Sequence, residues 1–170
     1  MVTVRRETPA DIPLIRQVEA AAFNSSIEPT LVDLLRERSH AVLSLVAEID
    51  GKLVGHVIYS PVTVTPRYFS CRGLGLGPIA VLPEYQKQGI GTELIQRSNG
   101  ILAGEGYDFV VLLGNPRYYT RFGFRPGSEF NLDNEYDAGD EFMALELHPC
   151  ALDGVHGLVR YVREFMEVGA

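Results

Sequence analysis

The stretch Gln86-Lys87-Gln88-Gly89-Ile90-Gly91 stands between the apolar run "GPIAVLPEY" and the amphipathic run "TELIQRSNGIL". A strand that turns into a helix through glycines leaves backbone N–H groups unpaired at the helix N-terminus. Those donors, with the positive end of the helix dipole, form an anion site suited to phosphates. Gly89 and Gly91 would let the anion come close to the backbone, because no Cβ stands in the way. Lys87 would add a charge. A tight turn alone would also account for the glycines. The spacing is neither GxxxxGK[ST] nor GxGxxG, so it is no Walker loop and no dinucleotide fingerprint.

A second candidate is "NPRYYTRFGF", residues 115–124. Asn115 ahead of Pro116 reads as the cap of a short helix, closed by Gly123. That helix carries Tyr118 and Tyr119, and a tyrosine hydroxyl there is either a proton donor or a packing residue. Other constellations are weak. His40, His56, His148 and His156 lack metal-ligand spacing, so no metal is expected. No GxSxG elbow points to a hydrolase. Cys71 and Cys150 form no CxxC pair, which suits a reducing cytoplasm.

The elements that must hold these residues follow from periodicity. Thr3 to Glu7 reads as a strand, and Ile12 to Phe23 as a helix with Leu14, Ile15, Val18, Ala21 and Ala22 on its apolar side. Thr30 to Arg38 reads as a second helix. Two strands, "AVLSLVAEID" and "GKLVGHVIYSPVTV", meet at Asp50-Gly51, a hairpin signal. "LGLGPIAVLP" reads as a buried strand, Gly91 to Leu102 as a helix and "DFVVLLG" as a strand. "EFMALEL" and "GLVRYV" are two more strands, behind an acidic stretch from Glu129 to Glu141 that reads as a solvated loop. Interleaved helices and strands with one hairpin predict a mixed α/β sheet.

The chain has 170 residues, 46% hydrophobic and 22% charged, with a formal charge of −7. One domain spanning 1–170 is expected. An acidic balance argues against a nucleic-acid partner. No run approaches a membrane span and the start lacks a signal-peptide core, so no membrane insertion is expected.

The Gln86–Gly91 stretch resembles the pyrophosphate motif of the GNAT superfamily of N-acetyltransferases, [QR]xxGx[GA], with Gln86, Gly89 and Gly91 in register. "NPRYYTRFGF" resembles the same family's closing motif, through Asn115, Tyr119 and Phe122-Gly123-Phe124. The resemblance covers roughly residues 3 to 126. It implies a mixed, largely antiparallel central sheet with flanking helices and a splayed strand pair, Gly77–Leu82 and Phe109–Leu113. Pro78 suits the splay, because it offers no ladder donor.

The resemblance also implies roles. Backbone groups of Ile79, Ala80 and Val81 would bind the pantetheine arm of acetyl-CoA, with the Val81 N–H polarising the acetyl carbonyl. Gln86, Lys87, Gln88, Gly89, Ile90, Gly91 and Thr92 would hold the pyrophosphate. Asn115 would bond the pantetheine arm, and Tyr119 would protonate the departing sulfur. Arg97, Arg117 and Arg121 are candidates for the 3′-phosphate, with surface ion pairs as the alternative. The strand before Pro78 carries no carboxylate, so the base is open between Glu28, between the first two helices, His56 on the third strand, and ordered water with no dedicated residue. An acid at a helix N-terminus and a satisfied core or sheet-face histidine are the alternative readings of the two side chains. Glu84 is better read as solvent-exposed. The implied activity moves the acetyl group of acetyl-CoA to a primary amine of a small molecule or protein, by direct attack in a ternary complex. The alternative is a catalytically silent acyl-CoA-binding module. The identity of the amine and a homodimer stay open.

Overall fold

The computed structural model describes residues 1–68 and 70–170. In chain order the elements are β1 (Val2–Arg6), α1 (Ile12–Phe23), α2 (Ile27–Glu37), β2 (Leu43–Ile49), β3 (Lys52–Thr65) and β4 (Gly73–Val81). Then follow α3 (Ile90–Gly104), β5 (Phe109–Leu113), α4 (Pro116–Tyr119), β6 (Arg125–Pro126) and β7 (Leu132–Asn134). The chain ends in β8 (Phe142–Glu146), β9 (Gly157–Tyr161) and α5 (Glu164–Glu167). The fold is mixed α/β. Among the described residues, β1–β2, β2–β3, β3–β9, β5–β8 and β6–β8 pair antiparallel, and β4–β5 and β7–β9 pair parallel.

The residues fall into two compact units. The first holds Met1–Ser60, Gly77–Ser98 and Arg163–Ala170; the second holds Pro61–Leu76 and Asn99–Val162. The strands β3 and β4 and the helix α3 each contribute residues to both.

In the first unit β1 pairs with β2, and β2 with the Lys52–Tyr59 part of β3. The β2–β3 turn is as tight as its sequence predicts: Asp50 and Gly51 both have positive φ, 51° and 77°. That backbone matches the twist of the paired strands. On β3, a Cβ at Gly55 would come within 3.1 Å of Ile90 and 3.2 Å of Leu94, so α3 lies close against this strand. The α1 face differs from the expected stripe. Leu14 is 45% exposed and Ala21 is exposed, while Ile15, Val18 and Glu19 are buried. These three share the i, i+3, i+4 spacing of one helical face. The inward face therefore carries a carboxylate. The second helix starts at Ile27 rather than Thr30, which puts Glu28 in its first turn instead of in a connecting loop. The short α5 was not foreseen. Its Glu164 is fully buried and is bonded by Arg38 and His40.

In the second unit β4 pairs with β5 over Gly73↔Phe109 to Gly75↔Val111. That register stops while β4 continues to Val81. β8 pairs with β5 and with β6, and β9 pairs with the Val62–Thr65 part of β3 and with β7. A core of Val62, Phe109, Val111, Phe142, Ala144 and Val159, among others, fills this unit. The acidic stretch is not a plain solvated loop. It contains β7 with Leu132 buried, and Asn134 accepts the N–H groups of Tyr136 and Ala138.

Candidate active site

Within the first unit, β4 leads through a short 3-10 turn, Pro83–Tyr85, into the Gln86–Gly89 corner and then α3. The Gln86 side chain donates to the Val81 carbonyl at 3.0 Å, and Gln88 donates to the Glu84 carbonyl at 3.4 Å. Both amides therefore brace the corner. Lys87 and Gly89 have positive φ, 62° and 85°. The Gly89 conformation is one that side chains rarely adopt, and a Cβ there would meet nothing within 4 Å. Space is left on the outer side of the turn. The helical bond Glu93 N–H to Gly89 O is 3.0 Å. The first amides of α3 lie ahead of that bond, where a helix has no carbonyl of its own to offer. Residues 86 to 89 are exposed, Ile90 is buried, and Gly91 and Thr92 are half-buried. The arrangement can hold an anion through backbone donors, the dipole of α3 and the Lys87 charge.

Ile79, Ala80 and Val81 continue β4, with Ala80 buried and its two neighbours half-buried. Pro78 precedes them and has no N–H to give a ladder.

Of the two candidates for a base, His56 belongs to a buried polar cluster, while Glu28 is half-buried in the first turn of α2. His56 Nδ1 lies 2.6 Å from Glu19 Oε1, and His56 Nε2 lies 2.8 Å from Ser44 Oγ. Glu19 and His56 have no solvent exposure. Burial pushes the Glu19 carboxyl upward; His56 opposes this and the charge of Glu28 adds to it. Glu19 Oε2 and Glu28 Oε2 are both buried without a hydrogen-bond partner among the described residues. Glu19 and Ser44 were not singled out from the sequence. The one signal was a glutamate four residues after Ile15, on the apolar face of α1.

Within the second unit, Asn115 caps α4: its side chain accepts the Arg117 N–H at 3.0 Å, and its carbonyl accepts those of Tyr118 and Tyr119. The Tyr119 ring packs edge-on against Tyr118 and Phe124, with centroids 4.9 and 6.0 Å away. It also covers Gly114, where a Cβ would fall 2.5 Å from the ring. Burial, with Tyr118 adding a little, pushes the Tyr119 phenol up to about 12. The hydroxyl stays protonated at neutral pH, as a proton donor must. Gly123 closes the segment with a φ of 93°, as its position predicts.

Two of the candidate arginines have local partners. Arg97 reaches the Val4 carbonyl at 3.5 Å, and Arg121 donates to the Tyr118 carbonyl while stacking on its ring. Arg117 is exposed. Glu84 is exposed, 4.0 Å from Lys52. No group of three or more His, Cys, Asp or Glu among the described residues could hold a metal ion. Among the same residues no helix is long and apolar enough to cross a membrane.

Residues 3–127 match the acetyltransferase (GNAT) domain family. The uncharacterized N-acetyltransferase YhbS of Escherichia coli K12 is 36% identical over 164 residues, 95% of this chain and 97% of that one. The crystal structure of E. coli YhbS in complex with CoA superposes with a TM-score of 0.91 at 35% identity, covering 97% of this chain and 92% of that one. A GNAT family acetyltransferase from Brucella melitensis in complex with acetyl-CoA gives 0.81 at 37% identity, with 97% and 98% coverage. The braced glycine corner and the capped tyrosine helix are thus found in a chain that, along nearly its whole length, belongs to the GNAT family of N-acetyltransferases.

Proposed function

We propose that the protein moves the acetyl group of acetyl-CoA to a primary amine by direct attack in a ternary complex, with the whole chain acting as one acetyltransferase. The Gln86–Gly91 corner carries this reading. Its side-chain amides brace the turn, and the first amides of α3, which a helix cannot bond for itself, are the donors for the pyrophosphate in this reading. The coenzyme in both solved relatives supports the same donor.

In this proposal the backbone of Ile79, Ala80 and Val81 lies along the pantetheine arm, and the Val81 N–H polarises the thioester carbonyl. The Asn115 side-chain oxygen is engaged as a helix cap, so its contact with the arm falls to its amide nitrogen. Tyr119, held protonated by burial, supplies the proton to the departing sulfur. Glu28 takes the first proton from the substrate ammonium. Its buried, unpartnered Oε2 in the first turn of α2 supports that choice.

Release of free thiol from acetyl-CoA, measured against a panel of primary alkylamines, arylalkylamines and lysine-containing peptides, tests the reading. Amine-dependent thiol together with an acetylated product is expected. Tight acetyl-CoA binding with no thiol from any amine would favour a silent acyl-CoA-binding module instead.

A further inference from the structure

A cavity of about 300 Å³ opens in the second unit, and its lining includes no residue of the tyrosine helix. Its walls come from three stretches: residues 125–131 after α4, Glu146 at the end of β8, and the loop of residues 152–156. That volume stands at the small end of pockets that hold metabolites.

Strand geometry separates the cavity from Tyr119. A Cβ at Gly123, which closes the tyrosine segment, would lie 3.2 Å from Leu145, so Leu145 is on the side of β8 that this segment covers. Neighbouring residues of a strand face opposite sides. Ala144, its partner Arg125, and Glu146 therefore face away from Tyr119. The cavity also lies at the far end of β8. Phe142 pairs with Leu113, one residue before the Gly114 that Tyr119 covers, whereas Glu146 pairs with Phe109. Those four residues of strand span about 13 Å.

The floor of the cavity is apolar. Leu152 and Val155 are buried members of the unit's core, and Phe130 packs against that core. Both signs of charge stand around this floor. The Arg125 guanidinium lies 4.6 Å from the centre of the Phe130 ring. Its ion pair, to Glu129, is 3.9 Å long with both side chains at least half exposed. Such a contact commits the guanidinium little, and its fork can take a carboxylate in two hydrogen bonds. The remaining carboxylates of the lining are Glu146 and Asp153. Glu146 spends Oε2 on the Leu152 N–H at 2.8 Å, which ties the loop to β8 and leaves Oε1. Gly154, with a φ of 76°, has nothing within 4 Å of where a Cβ would stand, so the loop backbone leaves the space open.

We propose that this cavity is a second ligand site, for an α-amino acid with an apolar side chain. Arg125 takes the carboxylate, Glu146 and Asp153 take the ammonium, and Phe130, Leu152 and Val155 take the side chain. A plain carboxylate would leave the two acids unpaired beside it, and a plain amine would leave the Arg125 fork unused. No bond forms or breaks at this site, and it does not depend on the acetyl transfer proposed above.

A 15N NMR titration of the full-length chain tests the site, with L-leucine and two analogues that each lack one charge, leucinamide and isocaproate. L-Leucine should shift the amides of residues 152–156 in a saturable way. Each analogue should bind about tenfold more weakly, the usual loss for one charge-assisted hydrogen bond. Arg125→Gln and Asp153→Asn should weaken leucine by a similar factor and leave acetyl-CoA affinity unchanged in calorimetry. Both side chains are exposed, so neither substitution disturbs the core. No saturable shift up to the solubility limit of leucine overturns the proposal. So does an analogue that binds as tightly as leucine, which would leave a site for a single charge. Shifts confined to residues 86–91 or 115–124 would put leucine at the transfer site and overturn it equally.

Discussion

Glycine serves opposite ends in two regions, the corner ahead of α3 and the aromatic core of the second unit. In the first, Gly89 turns a corner with a φ of 85° and has nothing within 4 Å of where a Cβ would stand. In the second, Gly73, Gly75, Gly114 and Gly127 each lie beneath an aromatic ring, of Phe109, Tyr161, Tyr119 and Phe142 respectively. One glycine leaves room for something that is not protein. The others are slots already filled by protein. A missing side chain therefore marks a ligand site only where the neighbouring atoms leave the space empty and the backbone there needs the glycine.

The sharpest way to break this contrast is Gly89→Val. The branch does not clash with the fold, but it resists the positive φ, a cost of about 1–2 kcal/mol, and turns the corner amides away from their target. Acetyl-CoA binding should vanish in calorimetry while circular dichroism stays native. Unchanged affinity in a folded variant would show that the open corner is only a turn.

Next in size is Tyr119→Phe, which keeps the ring over Gly114 and removes the proton. Turnover should drop about 10²-fold, the lower end for a general acid, because a thiolate leaves readily. KM for acetyl-CoA should hold, since the proton matters in the transition state. Tyr118→Phe is the control and should change little. Equal losses in both variants would remove the assignment of the acid.

How much of this was readable beforehand depends on sequence distance. The corner and the tyrosine helix are contiguous motifs, so their residue types appear in order. The hairpin at Asp50-Gly51 is legible for the same reason. The Glu19–His56–Ser44 cluster is not, because its members come from three elements and meet only once the helices pack on the strands. Periodicity misled at α1. The 3.6-residue stripe on α1 includes Leu14 and Ala21, which are exposed, and not Glu19, since a carboxylate is rarely buried without a partner. Its partner, His56, lies 37 residues away. β7 hid for a different reason: three residues in an acidic stretch offer no alternation to read, and only pairing with β9 makes them a strand.

Smaller effects come from filling the covered slots. In Gly114→Ala the new methyl falls 2.5 Å from the Tyr119 ring, and in Gly75→Ala it falls 2.5 Å from Tyr161. Each should lose about 1–3 kcal/mol in urea unfolding, the usual cost of overpacking. Only Gly114→Ala displaces the proposed acid, so it alone should also lower turnover in the folded protein. Equal turnover in the two variants would mean that the position of Tyr119 over Gly114 has no bearing on the chemistry.

The smallest effect is expected at Gly100, which completes the contrast. It sits inside α3, exposed, and a Cβ there would meet nothing within 4 Å. Its φ is not among the positive ones, so it shares the open space of Gly89 without the backbone need. Emptiness alone should then carry no function. Alanine at this position removes freedom from the unfolded chain and suits a helix, a gain of about 0.5–1 kcal/mol. The midpoint of thermal unfolding should rise by about 2 °C for a chain of this size. Acetyl-CoA affinity should be the same as in the native chain. If Gly100→Ala weakened acetyl-CoA binding as Gly89→Val should, open space rather than backbone conformation would be what the coenzyme requires, and the contrast drawn from Gly89 would fail.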